Sequence, residues 1–207
     1  MELSSYYLEY IVNEIHTVVL ATVNEKNEPV TCAVDMMDQD GNSLYFLTAT
    51  GKSLYERLKR NNMIAFTGLN GSNTMHSVAV SVKGKAKEVG TDRLAELFEK
   101  NPYMKEIYPD EITRKALTVF QICDGNGEWF DLSKKPIERK TFVFGNAEEI
   151  VKGYRIADGC IGCGACLNVC PQKCIDSTEI PFKINQENCL YCGNCYSNCP
   201  ADAITKL

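Results

Sequence analysis

Along most of the first 145 residues, apolar and β-branched residues fall into short runs separated by polar turns. The opening stretch is different. From Leu3 to Ile15, residues Leu8, Ile11, Val12 and Ile15 recur at helical spacing and predict a helix. Beyond it, Thr17–Val23, Val30–Met37 and Ser43–Ala49 read as strands, parted by turns at Glu25–Pro29 and Asp38–Asn42. Met63–Gly68 and the long run Met75–Val89 continue the series, with Gly84 read as a bulge. Ala116–Ile122, Glu128–Leu132 and Thr141–Phe144 complete it. A short amphipathic helix is expected over Thr91–Lys100, ending at Asn101-Pro102. Short strands at this spacing predict a mainly β domain built as an antiparallel barrel.

One junction stands apart from the alternation. The run Leu44–Ser53 ends in hydroxyls, a glycine and a lysine just where Leu54–Arg60 turns helical, with Ser53 and Glu56 spaced as a capping box. Free N–H groups and the positive end of a helix dipole suit such a spot to a phosphate. An ordinary capped helix with a solvated Lys52 explains the same residues, and both readings stand at this stage. The run lacks the first glycine of a Walker loop.

Composition changes the picture near the C-terminus. Of the 11 cysteines in 207 residues, nine lie after residue 159. Cys160, Cys163, Cys166, Cys170 and Pro171 are repeated 29 residues later as Cys189, Cys192, Cys195, Cys199 and Pro200. This C-x₂-C-x₂-C-x₃-C-P spacing is the bacterial ferredoxin signature for two [4Fe–4S] clusters, in which the fourth cysteine of each string serves the other cluster. The expected ligand sets are therefore Cys160, Cys163, Cys166 and Cys199 for one cluster, and Cys189, Cys192, Cys195 and Cys170 for the other. Zinc would pair its ligands two plus two rather than three plus a distant one. A disulfide framework would need export, and the N-terminus shows neither the basic nor the apolar region of a signal peptide. Cys174 corresponds to Ala203 of the second string and is expected as a small buried residue beside a cluster. Cys32 and Cys123 sit in apolar runs and are expected in the core.

A segment of this size cross-linked by two clusters needs little apolar core, whereas the longer N-terminal part can bury one unaided. Two domains are expected, residues 1–148 and residues 149–207, the second a small α+β ferredoxin domain. The net charge of −5 with scattered lysines gives no footprint for nucleic acid. No apolar run is long enough to span a membrane. Oxidant-sensitive clusters and the missing signal peptide lead to an expected cytoplasmic location. Only His16 and His76 are available as histidines, and each is expected to cap a strand or pack at the surface. Trp129 and Tyr191 are expected as packed aromatics, with a flavin-stacking and a cluster-shielding role as the respective alternatives.

Residues 10–145, and in them Val18–Asn24, Pro29–Asp35 and Leu44–Asn61, resemble the pyridoxamine 5′-phosphate oxidase-like split-barrel flavoproteins. That resemblance implies FMN in a crevice between two subunits of a homodimer. Ala33, Val34 and Asp35 would line the isoalloxazine edge, and Thr48, Ala49, Thr50, Lys52 and Ser53 would hold the ribityl chain and phosphate. The family also includes haem- and deazaflavin-binding members. The oxidase proper carries an arginine–lysine pair where this chain has Leu54 after Ser53, which argues against the vitamin B6 reaction itself. Gly153–Ala203 resembles a dicluster ferredoxin. Together these imply an iron–sulfur flavoprotein oxidoreductase that exchanges electrons with a redox protein or a small molecule. No G-x-G-x-x-G fingerprint for a dinucleotide follows any strand. The alternative is a non-catalytic electron carrier whose barrel serves dimerisation and docking.

Overall fold

In the computed structural model, which describes residues 3–207, the period-two alternation becomes a sheet with one buried face. Strand β1 (Thr17–Val23) buries Val18, Leu20 and Thr22 and turns Thr17 and Val19 outward. It pairs antiparallel with β2 (Pro29–Asp35) and with β5 (Met63–Gly71), setting Thr17 opposite Asp35 and Leu20 opposite Phe66. Two residues of the expected second turn, Asp38–Gln39, instead form a short strand β3 against β4 (Leu44–Ala49). The sheet continues through β6 (Ser77–Gly90) and β7 (Leu117–Asp131), in the order β2-β1-β5-β6-β7-β4-β3, with β8 (Glu138–Phe144) paired to β7.

Strand β4 shows why its sequence lacks alternation. Leu44, Tyr45 and Phe46 are all buried because both faces are covered. Phe46 stacks on Phe120 of β7 with ring centroids 5.5 Å apart. On the other side Tyr45 joins Met37, Leu97, Phe98 and Met104 in a second apolar cluster. That cluster rests on α3 (Leu94–Lys100) and α4 (Met104–Ile107), and α5 (Glu111–Arg114) follows.

Several local expectations are corrected. The opening helix is α1 (Leu3–Tyr10) followed by a π-helical turn, Ile11–Ile15. Ala116–Ile122 and Glu128–Leu132 are not separate strands but parts of one, β7, which runs straight through Gly125 and Gly127. These glycines leave room rather than turn the chain: a Cβ on Gly127 would collide with the Phe142 ring, and one on Gly125 with Phe144. Gly84 likewise sits where the Asp124 carbonyl of β7 closes on β6. The helices α4 and α5 were not expected from the pattern.

The chain divides into two compact units. One comprises the chain up to Gly71, Ala79–Glu128 and Thr141–Glu149; the other comprises Ser72–Val78, Trp129–Lys140 and Ile150–Leu207. The second contains β9 (Tyr154–Ile156) paired with β12 (Ile204–Lys206), β10 (Ile175–Asp176) paired with β11 (Lys183–Ile184), and helices α6 (Ala165–Val169) and α7 (Asn194–Ser197). Among the described residues no helix is long and apolar enough to cross a membrane.

Candidate functional site

The second unit is built twice, in backbone as well as in letters. Gly164 and Gly193, 29 residues apart, both take left-handed angles (φ 76 and 79°) as N-caps of α6 and α7. Gly162 (φ 68°) matches Tyr191 (φ 57°), and Lys173 (φ 53°) matches Asp202 (φ 48°). Left-handed residues alternating with right-handed ones turn successive N–H groups toward a common concavity, which suits an anionic group. Tyr191 holds an angle that costs a residue with a Cβ about 1 kcal/mol or more. The Arg139 guanidinium lies 4.5 Å from its ring centroid and 4.7 Å from that of Phe130, and Arg139 Nη1 donates to the Leu190 carbonyl at 3.2 Å. This sandwich offsets the strain.

The strings exchange their last cysteines. One recess, of about 300 Å³ and partly open to solvent, is lined by Cys160, Cys163, Cys166 and Cys199 among Ile156, Ile161, Phe182 and Ile204. The other, of about 340 Å³, is lined by Cys170, Cys189, Cys192 and Cys195, and also by Cys174. Each thus draws three cysteines from one string and the fourth from the other. Among the described residues, no group of three or more histidine, cysteine, aspartate or glutamate side chains could hold a lone metal ion.

The recesses differ in some of the residues that line them. The first is walled by apolar side chains, while the second adds Gln172, Asn194 and Tyr154. Cys174 Sγ lies 3.5 Å from Cys170 Sγ. Hydrogen bonding to Cys189, burial and hydrogen bonding to Cys170 hold the Cys174 thiol protonated. Its bond to Cys189 pulls that thiol down against the opposing effect of burial; the Tyr191 N–H and the Arg139 charge assist. Burial pushes the Cys166 and Cys195 thiols up.

The first unit carries a crevice of about 1090 Å³, open to solvent, between β2, β4, the start of α2 (Ser53–Arg60) and α4. Ala33, Val34, Asp35, Thr48, Lys52 and Ser53 line it; Ala49 and Thr50 do not. Cys32 also lines it and is only partly buried, as is Cys123, so the expectation of two core thiols is corrected. Cys32 escapes the core because β2 is the last strand on its side of the sheet. Trp129 is buried. His76 lies on a 3₁₀ turn, bonded to Asn73 at 2.9 Å.

The predicted capping box does not form. The N-cap is Lys52, with no side-chain cap bond, and Ser53 is the first helical residue. Its Oγ instead accepts from Arg57 Nη1 at 3.0 Å, while Arg57 Nε donates to Thr22 Oγ1 at 2.7 Å. Arg57 is 8% exposed and lines the crevice. No carboxylate among the described residues pairs with it. A buried cation held only by two hydroxyls, beside Lys52 and an uncapped helix start, leaves its charge directed at the crevice. Sequence reading missed it because a basic residue in an amphipathic helix normally faces water. Its spacing four residues after Ser53 was the available signal.

The comparisons with known proteins bear on both units. Residues 8–123 match the family model described as pyridoxamine 5′-phosphate oxidase, and residues 159–203 match a 4Fe-4S dicluster domain. No curated protein matches the chain. Similar solved structures include a NimC/NimA family protein from Clostridium acetobutylicum (20% identity, TM-score 0.56, 68% of this chain and 92% of that one). Another is a haem-binding protein from Mycobacterium smegmatis (14% identity, TM-score 0.54, 72% and 62%). A third is a Clostridium acetobutylicum protein related to general stress protein 26 of Bacillus subtilis, of the pyridoxinephosphate oxidase family (20% identity, TM-score 0.52, 68% and 96%). At these identities the likeness shows the mainly β, split-barrel fold. The family match, extending over more than half of the residues, says more: the chain belongs to the pyridoxamine 5′-phosphate oxidase family and joins that barrel to a 4Fe-4S ferredoxin domain.

Proposed function

We propose that the protein is an iron–sulfur flavoprotein oxidoreductase, passing electrons between FMN in the barrel crevice and two [4Fe–4S] clusters in the ferredoxin domain. The observation that carries this reading is the sorting of the eight string cysteines into two recesses, each completed by the other string's fourth thiol. One cluster would be held by Cys160, Cys163, Cys166 and Cys199, the other by Cys189, Cys192, Cys195 and Cys170. Zinc would pair its ligands two plus two around one point, whereas each recess draws three cysteines from one string and one from the other.

The crevice fits an anionic cofactor through its donor set. Arg57 and Ser53, the Lys52 ammonium and the first-turn N–H groups of α2 would hold a phosphate. Thr48 would contact the ribityl chain, and Ala33, Val34 and Asp35 would lie along the ring system. Ala49 and Thr50, outside the crevice wall, would act only by shaping the turn. FMN, when bound, supplies the exchange between electron pairs and single electrons, which matches clusters that carry one electron each. The protein's own share is to orient, to neutralise phosphate charge and to limit water.

Such a chain would work with a redox protein or a small organic molecule, in the cytoplasm and as a homodimer. Stoichiometry on anaerobically purified protein tests the reading, with about eight irons and about one FMN per chain expected. About four irons would overturn the two-cluster assignment. Clusters without flavin would favour the carrier reading, and a Soret band would put haem in the crevice. Arg57→Met should weaken FMN binding by about tenfold or more, as expected for a charge-assisted phosphate contact. Unchanged affinity would remove Arg57 from the phosphate site.

A further inference from the structure

Behind the crevice wall, three side chains form a continuous hydrogen-bonded line. Asp35 lines the crevice, and its Oδ2 accepts from the Tyr103 hydroxyl at 2.8 Å. The Tyr103 oxygen lies 3.0 Å from His16 Nε2, with the two rings edge to face at 5.8 Å. Thr17 Oγ1 fixes the other carboxylate oxygen at 2.6 Å. His16 Nε2 also lies 3.6 Å from Asp35 Oδ2, and the two side chains are 34% and 32% exposed, so the line opens to solvent at His16 and to the crevice at Asp35.

His16 is held in this place at a conformational cost. Its angles (φ 59, ψ −68°) are those of a strained three-residue turn that non-glycine residues avoid. The turn closes the π-helical Ile11–Ile15, with His16 N–H bonded to Ile11 O and His16 O accepting from Met36 N–H, both at 2.8 Å. A π turn and a strained residue together are frequent at working sites. Asp35 from β2 and Tyr103 from the segment before α4 are the titratable groups that His16 faces. Burial, then its bond to Asp35, pushes the Tyr103 phenol far up, so the tyrosine stays protonated and can only pass protons on.

We propose that His16, Tyr103 and Asp35 are a proton path into the crevice, and that the acceptor reduced there is an organic molecule that takes up protons with its electrons. The doubly protonated His16 gives its Nε2 proton to the Tyr103 oxygen while the Tyr103 hydroxyl gives its own to Asp35 Oδ2. Imidazolium and carboxylate become imidazole and carboxylic acid, the phenol is unchanged, and no electrons move. Asp35 then protonates the reacting atom in the crevice, and His16 regains its proton from water. This use of the path rests on the flavoprotein reading above, which supplies the electrons. A line that merely tied Tyr103 to β2 would have the same bonds but no traffic.

Two arms separate these cases. In the cofactor-free protein, exchange of the Tyr103 hydroxyl proton with water is followed by NMR. His16→Gln keeps a hydrogen-bond donor but cannot shuttle protons, and should slow that exchange; a merely structural tie would leave it unchanged or speed it. In the FMN-loaded, dithionite-reduced protein, the reduction of 1,4-benzoquinone is followed by stopped flow. His16→Gly, which suits the positive φ, should slow it by about tenfold or more, leave FMN affinity unchanged, and recover with added imidazole. Tyr103→Phe should slow it without imidazole rescue. Unslowed exchange in His16→Gln, or no rescue of His16→Gly, overturns the path. Should the protein bind no FMN, the flavin reading falls, while the exchange arm still decides the path.

Discussion

The barrel and the ferredoxin domain bury different things. The barrel encloses Phe46, Phe120, Leu20, Ile122 and Leu44, all 1% exposed or less, between long strands. In the ferredoxin domain the buried residues include Cys166, Cys170, Cys174, Cys189 and Cys195 beside Ile156, Phe182 and Ile204, and its strands are two or three residues long. The first is a hydrophobic core that stands without cofactor. The second has thiols where a core would have side-chain carbon, and under the proposed function the attachment of its string cysteines to iron–sulfur clusters would supply the cohesion. A small segment can therefore be ordered by coordination where apolar area is too small to order it.

The largest expected effect is iron removal. Chelation under reducing conditions should abolish amide protection in residues 150–207, read by hydrogen exchange, while strands β1, β4, β5 and β7 keep theirs. Retained protection in the iron-free domain would break the contrast. Next comes the converse change in the barrel. Phe46→Ala removes a fully buried ring and should cost about 3–5 kcal/mol in denaturant titration, with iron content unchanged. A loss of iron in step with barrel stability would show that the two cores are not independent.

The smallest effect is electrostatic. The Lys59 ammonium, at 2.8 Å, is the main influence holding the Glu88 carboxyl below the usual range; burial opposes it, and the Thr118 hydroxyl helps. A carboxyl whose folded value is depressed adds stability above its unfolded value, lost as the pH falls through the folded one. Glu88→Gln should thus destabilise slightly at neutral pH, far less than Phe46→Ala, with the difference vanishing in acid. A difference that persists at low pH would mean the glutamate acts by packing rather than charge.

The sheet was legible wherever one face meets water, as in β1 and β5, because alternation records that asymmetry. It failed at β7, where the stretch holding Gly125 and Gly127 separates two runs, Ala116–Ile122 and Glu128–Leu132, that read as separate strands. A glycine's local signal is the same whether it turns the chain or makes room for Phe142 and Phe144. Asp38–Gln39 read as a turn for the same kind of reason, since a strand that short is defined by its partner β4 rather than by its own residues. In the crevice, the β2 and β4 positions could be named from resemblance. Arg57 could not, because its burial depends on Thr22 of β1, far away in sequence, meeting it across the fold.

What the chain's letters determined alone is the doubled cysteine spacing and, with it, the expected exchange of fourth thiols, because three ligands within seven residues are a local matter of backbone reach. The period of the strands is local in the same sense. Tertiary structure alone decided that a buried guanidinium faces the crevice, and that His16, Tyr103 and Asp35 meet. Each of those depends on where distant segments are brought together, and a charge or a proton path exists only between groups that the fold has set within bonding distance.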